Sequence, residues 1–255
     1  MKKISSLALI ILAALIFLSP GCKKETTTSN PQVTGNLFGF VTLYDQYGGK
    51  VTSGLGSTTI TLITQSGSTT LNTVPDSLGR YAYNNINQGQ YLISFTNPGY
   101  GTILNAEFGF LGEGNIDHDV KLSAVPNFND SVLTALDTLS NNSVVLNGTF
   151  SGTDTRKRTY VIFVGSTPGV SSSPANFLTY YTGTANANLS TFTQKIPVAD
   201  LNDLGFTSGS TVYFVGYGAA ANFASSSDVE DYANTGRFTY NAISTGAAPT
   251  SFVLP

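Results

Sequence analysis

The stretch from Asp76 to Tyr100, DSLGRYAYNNINQGQYLISFTNPGY, constrains the fold of this chain more than any other. Asp76 and Gly79 occupy the first and fourth positions of a type I turn, where the carboxylate accepts a backbone N–H and glycine relieves the exit. Tyr81 and Tyr83 then alternate with Arg80, Ala82 and Asn84. Beyond Asn87-Gln88-Gly89, Tyr91, Ile93 and Phe95 alternate with Gln90, Leu92 and Ser94. Period two marks strands with one buried face, and the spacing predicts two adjacent antiparallel strands. Asn97-Pro98-Gly99 closes the unit, because proline fixes φ at a turn and glycine accepts the positive φ that follows.

The order D-x-x-G-R-Y, then G-x-Y, then P-G-Y resembles the carboxypeptidase regulatory-like domain, a transthyretin-like β-sandwich that serves as an accessory module in secreted and outer-membrane bacterial proteins. The resemblance covers residues 36–123 and opens with GNLFGFVTLYDQYGGKV, including a turn at Asp45 to Gly49. Lys50-Val51 stands where the family has a proline, and a Gly/Ser-rich insert, Thr52 to Ser57, follows. The resemblance implies a fold and supplies no catalytic residues.

Residues 1–21 begin with Lys2 and Lys3 and continue through an apolar run from Leu7 to Leu18. The run is shorter than the roughly 20 residues a membrane span requires, so it reads as a secretory signal. Leu18-Ser19-Pro20-Gly21-Cys22 resembles the bacterial lipobox, which implies cleavage before Cys22, acylation of its sulfur and attachment to a lipid bilayer. Cys22 is the single cysteine, so no disulfide can form within the chain. Residues 22–35 are polar and unpatterned and read as a tether. Lys23 and Lys24 precede the one acidic residue there, Glu25, which leaves the membrane face open.

Charged residues make up 11% of the chain and tryptophan is absent, so solubility rests on Ser, Thr, Asn and Gly, a β-rich extracytoplasmic composition. Without Lys2 and Lys3, ten basic residues face fifteen acidic ones, a formal charge of −5. Nucleic acid is excluded as a partner on that ground, since neutralising phosphates supplies most such affinity.

Residues 124–255 repeat the β texture without the motif. Short strands separated by turn signals are expected at Val132 to Thr138, Ser143 to Phe150, Thr159 to Gly165, Phe177 to Tyr181, Leu189 to Ile196, Thr211 to Gly218, Arg237 to Ala242 and Thr250 to Leu254. Such spacing predicts a second sandwich. SVVLNGTFSG followed by TYVIFVGSTPGVSS resembles two successive strands of a fibronectin type III-like module, with Tyr213 on a later strand. Pro197 to Gly205 is the one helical signal. The fold class is therefore all-β: two consecutive β-sandwich domains, transthyretin-like and then immunoglobulin/fibronectin III-like.

Catalytic chemistry finds little purchase. His118 is the only histidine, and alternation in Asn115 to Leu122 turns it away from Asp117 and Asp119, so neither a metal set nor a catalytic triad assembles around it. Gly216-Tyr217-Gly218 mimics a dinucleotide fingerprint but lacks the βαβ setting. Asp228, Glu230 and Asp231 form the densest acidic cluster, a calcium candidate without regular ligand spacing. Arg156-Lys157-Arg158, balanced by Asp154, reads as a hairpin turn. No catalytic, cofactor-binding or metal residue is assigned.

Tyr180, Tyr181, Phe223 and Tyr232 fall on or near loops, where exposed rings can stack on sugars, so they are the candidate ligand contacts. Asp76-Ser77-Leu78, Asp130-Ser131-Val132 and Asp137-Thr138-Leu139 resemble the O-glycosylation acceptor of exported Bacteroidetes proteins. The expectation is a non-enzymatic lipoprotein of the cell envelope, at the outer membrane, acting in adhesion, assembly or as an accessory to an envelope protein complex. The alternative is a glycan-binding lipoprotein of an outer-membrane polysaccharide uptake system.

Overall fold

The computed structural model describes residues 33–255 except 113, 139–141, 153, 223–226 and 229–238. Val33–Pro255 is one compact unit containing two β-sandwiches. The first is built from β1 (Thr34–Tyr44), β2 (Lys50–Val51), β3 (Thr59–Thr64), β4 (Thr70–Thr73), β5 (Arg80–Asn87), β6 (Gly89–Thr96), β7 (Ile103–Phe110), β8 (Asn115–Asp117) and β9 (Val120–Ser123). The second contains β10 (Asp130–Thr138), β11 (Ser143–Phe150), β12 (Arg158–Gly165), β13 (Thr179–Ala185), β14 (Thr191–Pro197), β15 (Thr211–Ala219), β16 (Ser227–Asp228), β17 (Thr239–Tyr240) and β18 (Thr250–Val253).

In the first sandwich β1 is the central strand of one sheet. It pairs antiparallel with β2 and β5, and parallel with β8 and β9. The other sheet runs β4-β3-β6-β7. Leu37, Val41 and Leu43 from β1 face Ile60, Leu62, Ile93 and Phe95 across the core, all essentially solvent-free. The Asp76 turn forms as its residues dictate: the Asp76 carbonyl accepts the Gly79 N–H at 2.9 Å, and Asp76 Oδ1 accepts the N–H groups of Leu78 and Arg80. Gly79 has φ +86, a left-handed conformation that glycine tolerates best.

The expected pairing of the two strands after that turn is corrected. β5 pairs with β1, whereas β6 pairs with β3 and β7 in the opposite sheet. Gln88 is the corner between sheets, fixed by its N–H to the Val33 carbonyl at 2.9 Å. Tyr81 and Tyr83 and their counterparts Tyr91, Ile93 and Phe95 all enter one core. Alternation fixes which face is buried, and two strands facing each other across a sandwich satisfy it as well as two side by side.

In the second sandwich a three-stranded sheet, β10-β11-β14, faces a four-stranded one, β13-β12-β15-β18. Leu146, Ile162, Val164, Ile196, Val212 and Phe214 fill the space between them. The helical signal is a short helix, Val198–Asp203, capped by Pro197; it buries Leu201 at one end of that core. The four-stranded sheet is covered on its outer face too, where Val161, Phe163 and Val215 pack against Val170, Phe177, Tyr240 and Ala242. Gly216 and Gly218 of β15 make room rather than hold a nucleotide. A Cβ at Gly216 would lie 1.9 Å from Asp130 Oδ2, and one at Gly218 would lie 2.4 Å from the Phe128 carbonyl. Among the described residues no helix is long and apolar enough to cross a membrane.

Candidate functional site

The β1–β2 turn reaches from the first sandwich into the second. Asp45 Oδ1 accepts the N–H groups of Tyr47 and Gly49, so the turn presents Gln46 and Tyr47 in a fixed pose. Gln46 is gripped on three sides. Its Oε1 accepts the Asn127 N–H at 2.7 Å, its Nε2 donates to Asn127 Oδ1 at 2.9 Å, and its carbonyl accepts the Ala221 N–H at 3.0 Å. Tyr47 stacks on Phe128 with centroids 6.3 Å apart and donates its hydroxyl to Asp154 Oδ2. Arg156 completes the junction, with its guanidinium carbon 3.5 Å from the centre of the Tyr47 ring and its Nε 3.2 Å from Asp154 Oδ1. The Arg156 and Tyr47 hydrogen bonds hold the Asp154 carboxyl well below the usual carboxylate range. Partial burial, with the Asp154 bond, pushes the Tyr47 hydroxyl up.

The segment carrying these groups is not the hairpin that Arg156-Lys157-Arg158 implied. β11 and β12 belong to opposite sheets, so the turn is a corner. Of the three basic residues, Arg156 and Lys157 lie on its exposed part. Arg158 is the first residue of β12, and it is 1% exposed. Its guanidinium carbon sits 4.7 Å from the centre of the Phe150 ring and 5.8 Å from that of Phe128. Nη1 donates to the Gly152 carbonyl at 3.2 Å and Nη2 to the Leu189 carbonyl, while the buried Nε–H has no acceptor among the described residues. Arg158 contributes to the wall of a cavity of about 390 Å³ with Asp154, Thr155, Asn188 and Ser190. Sequence reasoning placed the three basic residues together in a hairpin turn. Strand periodicity was the available signal, since Arg158, Tyr160 and Ile162 share the inward face.

Of the four candidate ligand contacts, Tyr180 and Tyr181 lie among the described residues, and these two do not converge. Tyr180 and Tyr181 are neighbours on β13 and so project from opposite faces. Tyr180, 36% exposed, lies on the outer face 5.1 Å from Tyr240 and 6.1 Å from Phe163. Tyr181 packs against the inner core, and its hydroxyl lies 3.4 Å from Asp200 Oδ2. Burial first, then Asp200, pushes the Tyr181 hydroxyl up to about 12. Phe223 and Tyr232 lie outside the described residues, as do Cys22, Glu230, Asp231 and the side chain of Asp228.

His118 points inward, stacked on Phe95 at 5.9 Å and edge-on to Phe108 at 5.6 Å. Burial lowers its pKa, opposed by Asp119 and Asp117. Of the acceptor-like tripeptides, Asp76-Ser77-Leu78 is exposed, whereas Asp130 is completely buried at the start of β10. A groove of about 510 Å³ on the first sandwich runs beside Phe38, Phe40, Val74 and the Asp76–Arg80 ion pair.

No protein-family model matches the chain, and no curated protein sequence does. Among solved structures, a candidate carbohydrate-binding protein from Bacteroides uniformis aligns over 86% of this chain and 99% of its own, with 16% identity and a TM-score of 0.33. A member of the DUF3823 family from Parabacteroides merdae aligns over 72% and 89%, with 11% identity and a TM-score of 0.28. BcpA, the major pilin subunit of Bacillus cereus, aligns over 86% and 69%, with 11% identity and a TM-score of 0.32. Likeness at this level bears on neither ligand nor partner.

Proposed function

We propose that this chain is a non-enzymatic lipoprotein of the cell envelope, attached to the outer membrane through acylated Cys22. In this reading residues 1–21 are the signal peptide, 22–35 the tether, 36–123 the carboxypeptidase regulatory-like sandwich and 124–255 the fibronectin III-like sandwich. Together the sandwiches form a stiff arm for adhesion, for assembly or for attachment to a larger envelope complex. The observation that carries this is the junction. Gln46 and Tyr47 are held by Asn127, Phe128, Asp154, Arg156 and Ala221, which span the inter-sandwich connection and two separate corners of the second sandwich. Such a junction suits a module that presents a surface at a set distance from a membrane. Two or three acyl chains give durable attachment where one is marginal.

The test is fractionation of cells that express Cys22→Ala. The protein is expected to move from the membrane to the soluble fraction, and an unchanged membrane fraction overturns the anchor. Crosslinked affinity purification from the envelope then separates an assembly subunit, which brings down a stoichiometric protein, from a glycan binder. The glycan-binding reading, within a polysaccharide uptake system, draws support from Tyr180, whose partly exposed ring stands edge-to-face with Tyr240 on an outer sheet surface.

A further inference from the structure

We propose that the groove on the outer face of the first sandwich binds a neutral oligosaccharide, with Phe38 and Phe40 as the stacking platform and Arg80 as the partner of ring hydroxyls. Phe38 and Phe40 lie two positions apart on β1 and share its outer face, since Leu37 and Val41 fill the core. Their cross-strand neighbours on β5 are Ala82 and Arg80. Ala82 is small and exposed, which leaves the groove open beside Phe38, and Phe40 is 43% exposed. With Val74 and Pro75 as a wall, these residues border the groove of about 510 Å³, a volume within the range of small-ligand sites. Same-face residues of a strand stand about 7 Å apart, so the two rings offer adjacent platforms to consecutive units of a chain. A ring face carries partial negative charge and attracts the polarised C–H groups of a pyranose face.

The polar groups of the groove are ordered in advance. Asp76 Oδ2 accepts Arg80 Nε–H at 2.7 Å, Asp76 Oδ1 accepts the Arg80 backbone N–H at 2.9 Å, and the Asp76 N–H donates to the Arg80 carbonyl at 2.9 Å. The turn is fixed to β1 in its turn, because the Val41 N–H donates to the Gly79 carbonyl at 2.8 Å. On the other side of β1, Asp119 Oδ1 accepts the Phe40 N–H at 2.7 Å. Holding Arg80 by Nε leaves its Nη groups, on a side chain 60% exposed, as donors at the rim, and such a fork suits two neighbouring hydroxyls. Little ordering is then left for the ligand to impose.

Charge and geometry select the ligand class. Asp76 neutralises Arg80, and Asp117, exposed and in register with Phe38 on the far side of β1, adds a negative charge. An acidic glycan is therefore repelled. Backbone N–H and C=O groups lie in the plane of a sheet, so this face offers an extended peptide no main-chain bonds. The groove involves neither Tyr180 nor Cys22, so it can fail while the envelope assignment stands, and the reverse.

Calorimetric titration of the full chain, in mild detergent, with cellohexaose, maltohexaose, laminarihexaose and mannohexaose tests this. Glucose, hexagalacturonate and a proline-rich peptide serve as comparisons. The expected result is saturable binding of at least one neutral hexasaccharide, with each comparison weaker by about tenfold or more. Phe40→Ala, at an exposed position, is expected to weaken that binding by about tenfold with the melting temperature unchanged. Arg80→Met keeps the apolar stem and loses the fork; it should weaken binding by a similar factor with little change in melting, because an exposed ion pair stabilises little. Binding at the groove should persist in Tyr180→Ala. Absence of binding by all four hexasaccharides, equal affinity for hexagalacturonate or the peptide, or binding that survives Phe40→Ala but not Tyr180→Ala each overturns the assignment.

Discussion

Tyr47 of the first sandwich donates its hydroxyl to the Asp154 carboxylate of the second, beneath the Arg156 guanidinium. This bond ties a two-residue protrusion of one core to a corner of the other. Tyr47→Phe removes the hydrogen bond and keeps the stacking, at an expected cost of about 1 kcal/mol. Tyr47→Ala also removes the ring from Phe128 and Arg156 and is expected to cost about 2–3 kcal/mol, since the ring is only partly buried. Calorimetric melting of Tyr47→Ala should separate into two transitions where the parent shows one. A single unchanged transition would mean the sandwiches are not coupled through this turn.

His118 gives the protein a pH dependence of definite sign. Burial lowers its folded pKa below the ordinary value of 6.5. As pH falls through 6.5 the unfolded chain takes up a proton that the folded chain does not, so stability decreases. Melting temperature should therefore fall between pH 7.5 and 5.5, and His118→Phe, which keeps the packing on Phe95 and Phe108, should flatten that part of the profile. An equal slope in the variant would assign the dependence to other groups.

Two glycines of the first sandwich should respond oppositely to a methyl group. At Gly39 an added Cβ would lie 2.2 Å from the His118 carbonyl oxygen, where β1 passes the joint between β8 and β9. Gly39→Ala must push backbone apart and is expected to cost about 2–3 kcal/mol. Gly56 has open space around its Cβ position, and Gly56→Ala should be neutral or stabilise by up to about 1 kcal/mol through the unfolded chain. Urea unfolding of both variants measures the difference.

The adjacent tyrosines of β13 should separate cleanly. Tyr181→Ala opens a gap in the inner core and is expected to cost about 2–4 kcal/mol. Tyr180→Ala, at a partly exposed outer position, should cost about 1 kcal/mol. On a polysaccharide column only Tyr180→Ala should change retention without a matching loss of stability. Equal stability losses would place both rings in the core.

Much of this architecture was legible along the chain because strand periodicity and turn chemistry are local. Alternating apolar residues identify β1, β5, β6, β11 and β15, a continuous apolar run identifies β12, which is buried on both faces, and the Asp76 and Asp45 turns follow from side chains that reach only two to four residues. An all-β, two-sandwich chain follows from those signals alone. The partner of each strand does not, because a buried face is compatible with any neighbour that shares the core. That is why β5 and β6 separate into opposite sheets. The same physics hid Arg158. In sequence it is one of three basic residues beside an aspartate, and only the packing of two sheets over the start of β12 removes it from water while Arg156 and Lys157 stay exposed. Likewise the grip of Asn127, Asp154 and Ala221 on Gln46 and Tyr47 joins residues as much as 175 positions apart. Contacts at such separation carry no local pattern, so tertiary structure alone decided the junction and the cavity.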